Sequence, residues 1–144
     1  MAAVLALDIG GKRTGMAVSD DNKVFAFPLY TVETRVLNES VKKVLAERTV
    51  DSLVLGMPKN LKNEETDNTQ KVLKTLKSLQ KLFPNLLIFT VDERFTSKMA
   101  QQAHIMGGMK KKDRQVKENT DTTSATLILQ SFLEQKDRIQ PEPK

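Results

Sequence analysis

The chain has 144 residues, 39% hydrophobic and 28% charged, the make-up of one globular domain. It holds no cysteine and a single histidine, His104, which excludes disulfides, thiolate zinc sites, a cysteine nucleophile and metal centres built from several histidines. The net charge of +5 is concentrated in residues 109–117, where five cations face one acid, a pattern compatible with a polyanionic partner. Any resident metal must be held by oxygen ligands, which favours magnesium or manganese. No run approaches the roughly 18 apolar residues of a membrane span. The N-terminus enters a strand with no signal-peptide layout, so a cytoplasmic protein without membrane contact is expected.

Residues 3–8 read as a buried strand, an apolar run that ends in Asp8 and passes into Ile9-Gly10-Gly11-Lys12-Arg13-Thr14-Gly15. A carboxylate at the mouth of such a strand is costly unless a cation or hydrogen-bond donors meet it, although a simple turn aspartate would look the same. The glycines let the chain turn sharply and keep side chains away from Asp8. Residues 14–19 predict a second strand, antiparallel to the first, and 23–27 a third that stops before Pro28. Helical spacing follows over 35–48, a short apolar strand over 52–56, and a second helix over 65–82. The Lys71, Lys74, Lys77 and Lys81 row on that helix reads as a solvated face. Residues 86–91 predict another buried strand, ending in Asp92-Glu93, and a helix over 97–106 stopped by Gly107-Gly108. Asn119 or Thr120 is the expected cap of a last helix, 121–135. The expected architecture is α/β: a mixed five-stranded sheet, three antiparallel strands and then parallel ones, flanked by helices. One domain spans residues 1–138, with a frayed tail at 139–144.

This layout delivers Asp8 and the Asp92-Glu93 pair to one edge of the sheet, where ligands of open α/β sheets gather. Strand side chains alternate faces, so only one of Asp92 and Glu93 can join Asp8, and spacing leaves the choice open. On the last helix, Asp121 precedes Ala125, Ile128, Leu129, Phe132 and Leu133 at helical intervals and so shares their core-facing stripe. It could serve the helix dipole alone, yet an inward carboxylate needs compensation. Three converging carboxylates would repel one another unless divalent cations bound between them, and paired magnesium ions so held hydrolyse phosphodiesters.

Four segments resemble the YqgF family, also described as RuvX-type Holliday junction resolvases, which has the RNase H-like fold. They are Ala6–Gly15 with Ala17-Val18-Ser19-Asp20, then Val54-Leu55-Gly56-Met57-Pro58-Lys59-Asn60, then Asp92–Ser97 with Ala100, Gly107 and Lys110-Lys111, and finally Asp121-x-x-Ser124-Ala125 with Ile128-Leu129-Gln130 and Phe132-Leu133. The resemblance implies catalytic, metal-binding carboxylates at Asp8, Glu93 and Asp121, and so selects Glu93 over Asp92. It implies a magnesium- or manganese-dependent nuclease with a role in maturing the 5′ end of pre-16S ribosomal RNA. Arg13, Lys59 and Arg94 lie in matching segments and are suggested as phosphate contacts. Lys110, Lys111 and Lys112 are candidates for nucleic-acid binding through the basic stretch. The chain departs from the family in Lys59-Asn60-Leu61-Lys62, where an aspartate–glycine pair is common, and in Thr122-Thr123-Ser124.

The partner expected is structured RNA, with branched DNA as the alternative and the choice of monomer or homodimer open. A catalytically silent nucleic-acid-binding protein is a competing class, opposed by the three acids. An actin-like kinase or ATPase, whose phosphate loop also resembles Asp8–Gly15, needs two such domains around its nucleotide.

Overall fold

The computed structural model describes residues 2–57, 67–92 and 117–142. Five strands, β1 (Ala3–Ile9), β2 (Arg13–Ser19), β3 (Ala26–Glu33), β4 (Val50–Met57) and β5 (Leu87–Asp92), form one sheet in the order β3-β2-β1-β4-β5. β1–β2 and β2–β3 pair antiparallel, whereas β1–β4 and β4–β5 pair parallel. The helices among the described residues are α1 (Leu37–Glu47), entered through a 3-10 turn at Thr34–Val36, α2 (Asp67–Leu82) and α3 (Lys117–Gln135). The mixed sheet thus has the expected strand directions.

β1 is central, which is why its sequence is an unbroken apolar run rather than an alternating one. Val4, Leu5, Ala6 and Leu7 are all buried, on alternate faces. Leu5, Leu7 and Ile9 join Leu53, Leu55 and Ile88 under α1 and α2, which contribute Val41, Val44, Val72, Leu76 and Leu79. Val4 and Ala6 join Val54, Phe89 and Val91 on the other face, where α3 packs Ala125, Ile128, Leu129 and Phe132. The Phe89 and Phe132 rings meet there at a centroid distance of 4.7 Å.

The largest departures from the expected boundaries are the end of β3 and the start of α3. β3 does not stop before Pro28 but runs through it to Glu33, with Pro28 opposite Ala17. It is an edge strand, where the missing N–H of proline costs no ladder bond on the open side. α3 begins at Lys117, so Asn119 and Thr120 lie within it and are not its caps, and Asp121 stands in its second turn. Lys117 and Glu118 are adequate helix formers and extend it upstream. The predicted helix over 97–106 and residues 109–116 of the basic stretch lie outside the described residues.

The end of the sheet away from Asp8 is tied by charge. Asp20 accepts the N–H groups of Phe25 and Val24, each at 2.8 Å, and these bonds hold its carboxyl below the usual carboxylate range. Lys23, in the left-handed region at φ 59, reaches Asp51 at 2.8 Å. Burial pushes the Asp51 carboxyl up, but hydrogen bonds from Lys23 and Ser52 outweigh it and the net shift is downward. Beyond α3, the Glu142 N–H donates to the Ile88 carbonyl at 2.6 Å, and its carboxylate accepts from Thr90 Oγ1 at 2.8 Å. Residue 142 therefore lies along the outer edge of β5.

Candidate active site

Asp8 is half-buried in β1, in phase with Val4 and Ala6, and so faces α3. Its register partner on β2 is Gly15. On the other side Leu7 pairs with Leu55, so one residue further along both strands Asp8 comes beside Gly56, itself opposite Val91 of β5. Asp8 therefore has a residue without a side chain as its neighbour on both adjoining strands. Of the glycines that follow Asp8 in the sequence, the register puts Gly15 directly beside it, and it adds Gly56 from β4.

Asp92 does not share this face. Phe89 and Val91 belong to the α3 side, whereas Asp92 is two residues on from Thr90 and four from Ile88, and pairs with Met57, which packs on the α1/α2 side. Asp92 is thereby removed as a partner for Asp8. Position 121 lies one helical turn before Ala125 on α3, the helix that covers Asp8's face. The direction of that helix follows from its far end: Lys136 Nζ donates to the Lys23 carbonyl at 3.4 Å, beside Asp51 at the start of β4. Its N-terminal half therefore runs towards the edge where β1 ends. Of the predicted site residues, Glu93, Lys59, Arg94, Lys110, Lys111 and Lys112 lie outside the described residues. No three His, Asp or Glu side chains come together among the described ones. Asp8 offers oxygen only, which suits the all-oxygen donor set that a hard divalent cation takes.

The turn after β1 is held by bonds across long sequence separations. The Gly10 N–H donates to the Arg13 carbonyl at 2.9 Å, and a Cβ on Gly10 would lie only 2.6 Å from that carbonyl oxygen. Thr34, at the entry to α1, donates its N–H to the Lys12 carbonyl at 2.9 Å and its hydroxyl to the Gly10 carbonyl at 2.7 Å. Since that hydroxyl proton is committed, the fully buried Thr14 must be the donor in the 2.9 Å contact between the two threonine hydroxyls. Nothing in the sequence pattern signals this latch. Removing it with Thr34→Val is expected to cost about 1–3 kcal/mol, because the Gly10 carbonyl and Thr14 hydroxyl lose their partner. Thr34→Ser should restore most of it in urea unfolding, and an unchanged midpoint for the valine variant would refute the latch.

Arg13 opens β2 in phase with Gly15, hence on the Asp8 face, and is half-buried. Lys71 of α2 also reaches this turn: its Nζ lies 3.5 Å from the place a Gly11 Cβ would occupy. Helical periodicity puts Lys71 in the same solvated row as Lys74 and does not separate the two. A cleft of roughly 520 Å³ between the C-terminal ends of α1 and α2, lined by Leu45, Glu47, Arg48, Phe83 and Leu86, opens at the opposite edge. It has no relation to Asp8.

Comparison with known proteins identifies the family and the fold. A family model described as "RuvX: Holliday junction resolvase" matches residues 2–135. A protein of Phocaeicola vulgatus named "Putative pre-16S rRNA nuclease" is 43% identical over 139 residues, covering 96% of this chain and 100% of the relative. One of Bacteroides thetaiotaomicron with the same name is 43% identical over 136 residues, covering 94% and 99%. Among solved structures, Thermus thermophilus RuvC in complex with a Holliday junction substrate superposes with a TM-score of 0.63 at 14% identity, covering 99% of this chain and 100% of that one. That similarity establishes the fold, RNase H-like. With its family match over nearly the whole length and relatives above 40% identity, the chain belongs to the RuvX (YqgF) family of nucleases.

Proposed function

We propose that this nuclease hydrolyses phosphodiester bonds in maturing the 5′ end of pre-16S ribosomal RNA, in the cytoplasm, using Asp8, Glu93 and Asp121 as its catalytic and metal-binding carboxylates. The observation that carries the reading is the placement of Asp8: half-buried, between Gly15 and Gly56, facing the helix that bears Asp121. With Asp92 turned to the other face, Glu93 is the acid of that pair assigned to the site. Magnesium or manganese, when bound, would polarise the phosphate and lower the pKa of attacking water. The carboxylates hold it, and Arg13, Lys59 and Arg94 bind flanking phosphates. Lys110, Lys111 and Lys112 add sequence-independent attraction for the polyanion. The names of the curated relatives support RNA as substrate. No described helix is long and apolar enough to cross a membrane.

A second reading, cleavage of branched DNA, is favoured by the description of the family model. The two separate in one assay: purified protein with a 5′-extended 16S precursor or a four-way DNA junction, each with and without magnesium or manganese. Metal-dependent cutting of the RNA is expected. Cutting of the junction alone would replace the RNA reading, and cutting of neither would overturn the proposal.

A further inference from the structure

We propose that Lys71 is a substrate-phosphate contact of this site, bound to the backbone of the nucleic acid where it passes over the Gly10–Gly11 turn; the inference rests on the nuclease reading above. Its ammonium lies against the turn, 3.5 Å from the position that a Cβ on Gly11 would take, an ordinary van der Waals contact. The helix that carries it is fixed: Thr69, Val72, Leu76 and Leu79 are buried, and Val72 and Leu79 are fully enclosed. The turn beneath is fixed as well, by the Thr34 and Arg13 bonds. Both the root of the lysine and the surface it meets are therefore preorganised, which lowers the ordering cost of a contact.

Charge decides what that contact is. No described carboxylate lies within ion-pair distance of Lys71, in contrast to Lys23, which is bound by Asp51. Lys71 reaches this turn from the α1/α2 side of the sheet, and Arg13 opens β2 beyond the turn on the side that Asp8 faces. An ammonium with no described carboxylate in reach favours the approach of an anion. A lysine ammonium presents three donors as a point charge, which suits one phosphodiester and carries no sequence preference. Lys74 and Lys77 stand on the same helix, exposed like Lys71, and serve as internal controls.

The test measures binding, so it does not depend on catalysis. In the Asp8→Asn background without added metal, anisotropy of a fluorescein-labelled RNA hairpin with a 5′ single-stranded extension gives Kd across a salt series. Adding Lys71→Ala should weaken binding about 5–10-fold at 0.1 M salt and reduce the slope of log K against log salt by about 0.7–0.9, the value of one lost phosphate contact. Lys71→Arg should restore most of the affinity. Lys74→Ala and Lys77→Ala should leave the slope as it is. In the cleaving enzyme, Lys71→Ala should raise KM more than it lowers kcat. An unchanged slope for Lys71→Ala, or an equal loss for Lys74→Ala, would overturn the assignment while leaving the nuclease reading intact. Failure of the Lys71-containing protein to bind the hairpin at all would overturn both.

Discussion

Replacing Asp8 with asparagine is expected to lower cleavage at least about a thousand-fold while leaving the fold unchanged. The two side chains have nearly the same shape, so the space between Gly15 and Gly56 stays filled as before. What is lost is the negative charge, and with it the ability to hold a divalent cation against the phosphate. The amide keeps an oxygen that can still accept a hydrogen bond, so any change in stability should be small beside the loss of cleavage. Thermal unfolding and single-turnover cleavage, measured on the same preparation, separate the two effects. An Asp8→Asn protein that cut at the rate of its parent would sink the carboxylate mechanism. One that failed to cut because it no longer folded would show that Asp8 is structural.

Gly10→Ala is expected to damage both stability and activity. An added Cβ would stand 2.6 Å from the Arg13 carbonyl oxygen, and the obstacle is backbone that cannot rotate away. That carbonyl is itself the acceptor of the Gly10 N–H, so relief of the clash means opening the turn. The expected cost is about 1–3 kcal/mol, a fall in Tm on the order of 5–10 °C. Because the turn leads directly from Asp8 to Arg13, cleavage should fall further than the lost stability alone explains. Gly11→Ala is the contrast: its Cβ would meet only the mobile end of Lys71, at the ordinary distance of 3.5 Å, and Tm should stay within a degree or two. Equal losses for the two variants would mean that the turn is not held as described.

Much of the fold was legible because burial leaves a period in the sequence. The unbroken apolar run of β1 announced a strand covered on both faces, and the spacing of Val72, Leu76 and Leu79 announced which side of α2 is buried. β3 was less legible: Pro28 argued for a stop, and only the strand's position at the edge of the sheet makes proline harmless there. The start of α3 was obscured for a similar reason, since Asn119 and Thr120 look like caps wherever they occur.

The sequence alone determined the kind of chemistry open to this protein. With no cysteine and one histidine, a metal site must be made of carboxylates, and the order of its acid-bearing segments identified the family. Which groups stand together was decided only by tertiary structure. Register put glycine on both sides of Asp8, and alternation along β5 turned Asp92 away from it. Folding brought Thr34 onto Gly10 across 24 residues, and Lys71 onto Gly11 from another helix. The physical reason is that periodicity within a segment records which of its faces is buried. It carries no record of which distant backbone atom, or which ammonium, will lie against that face.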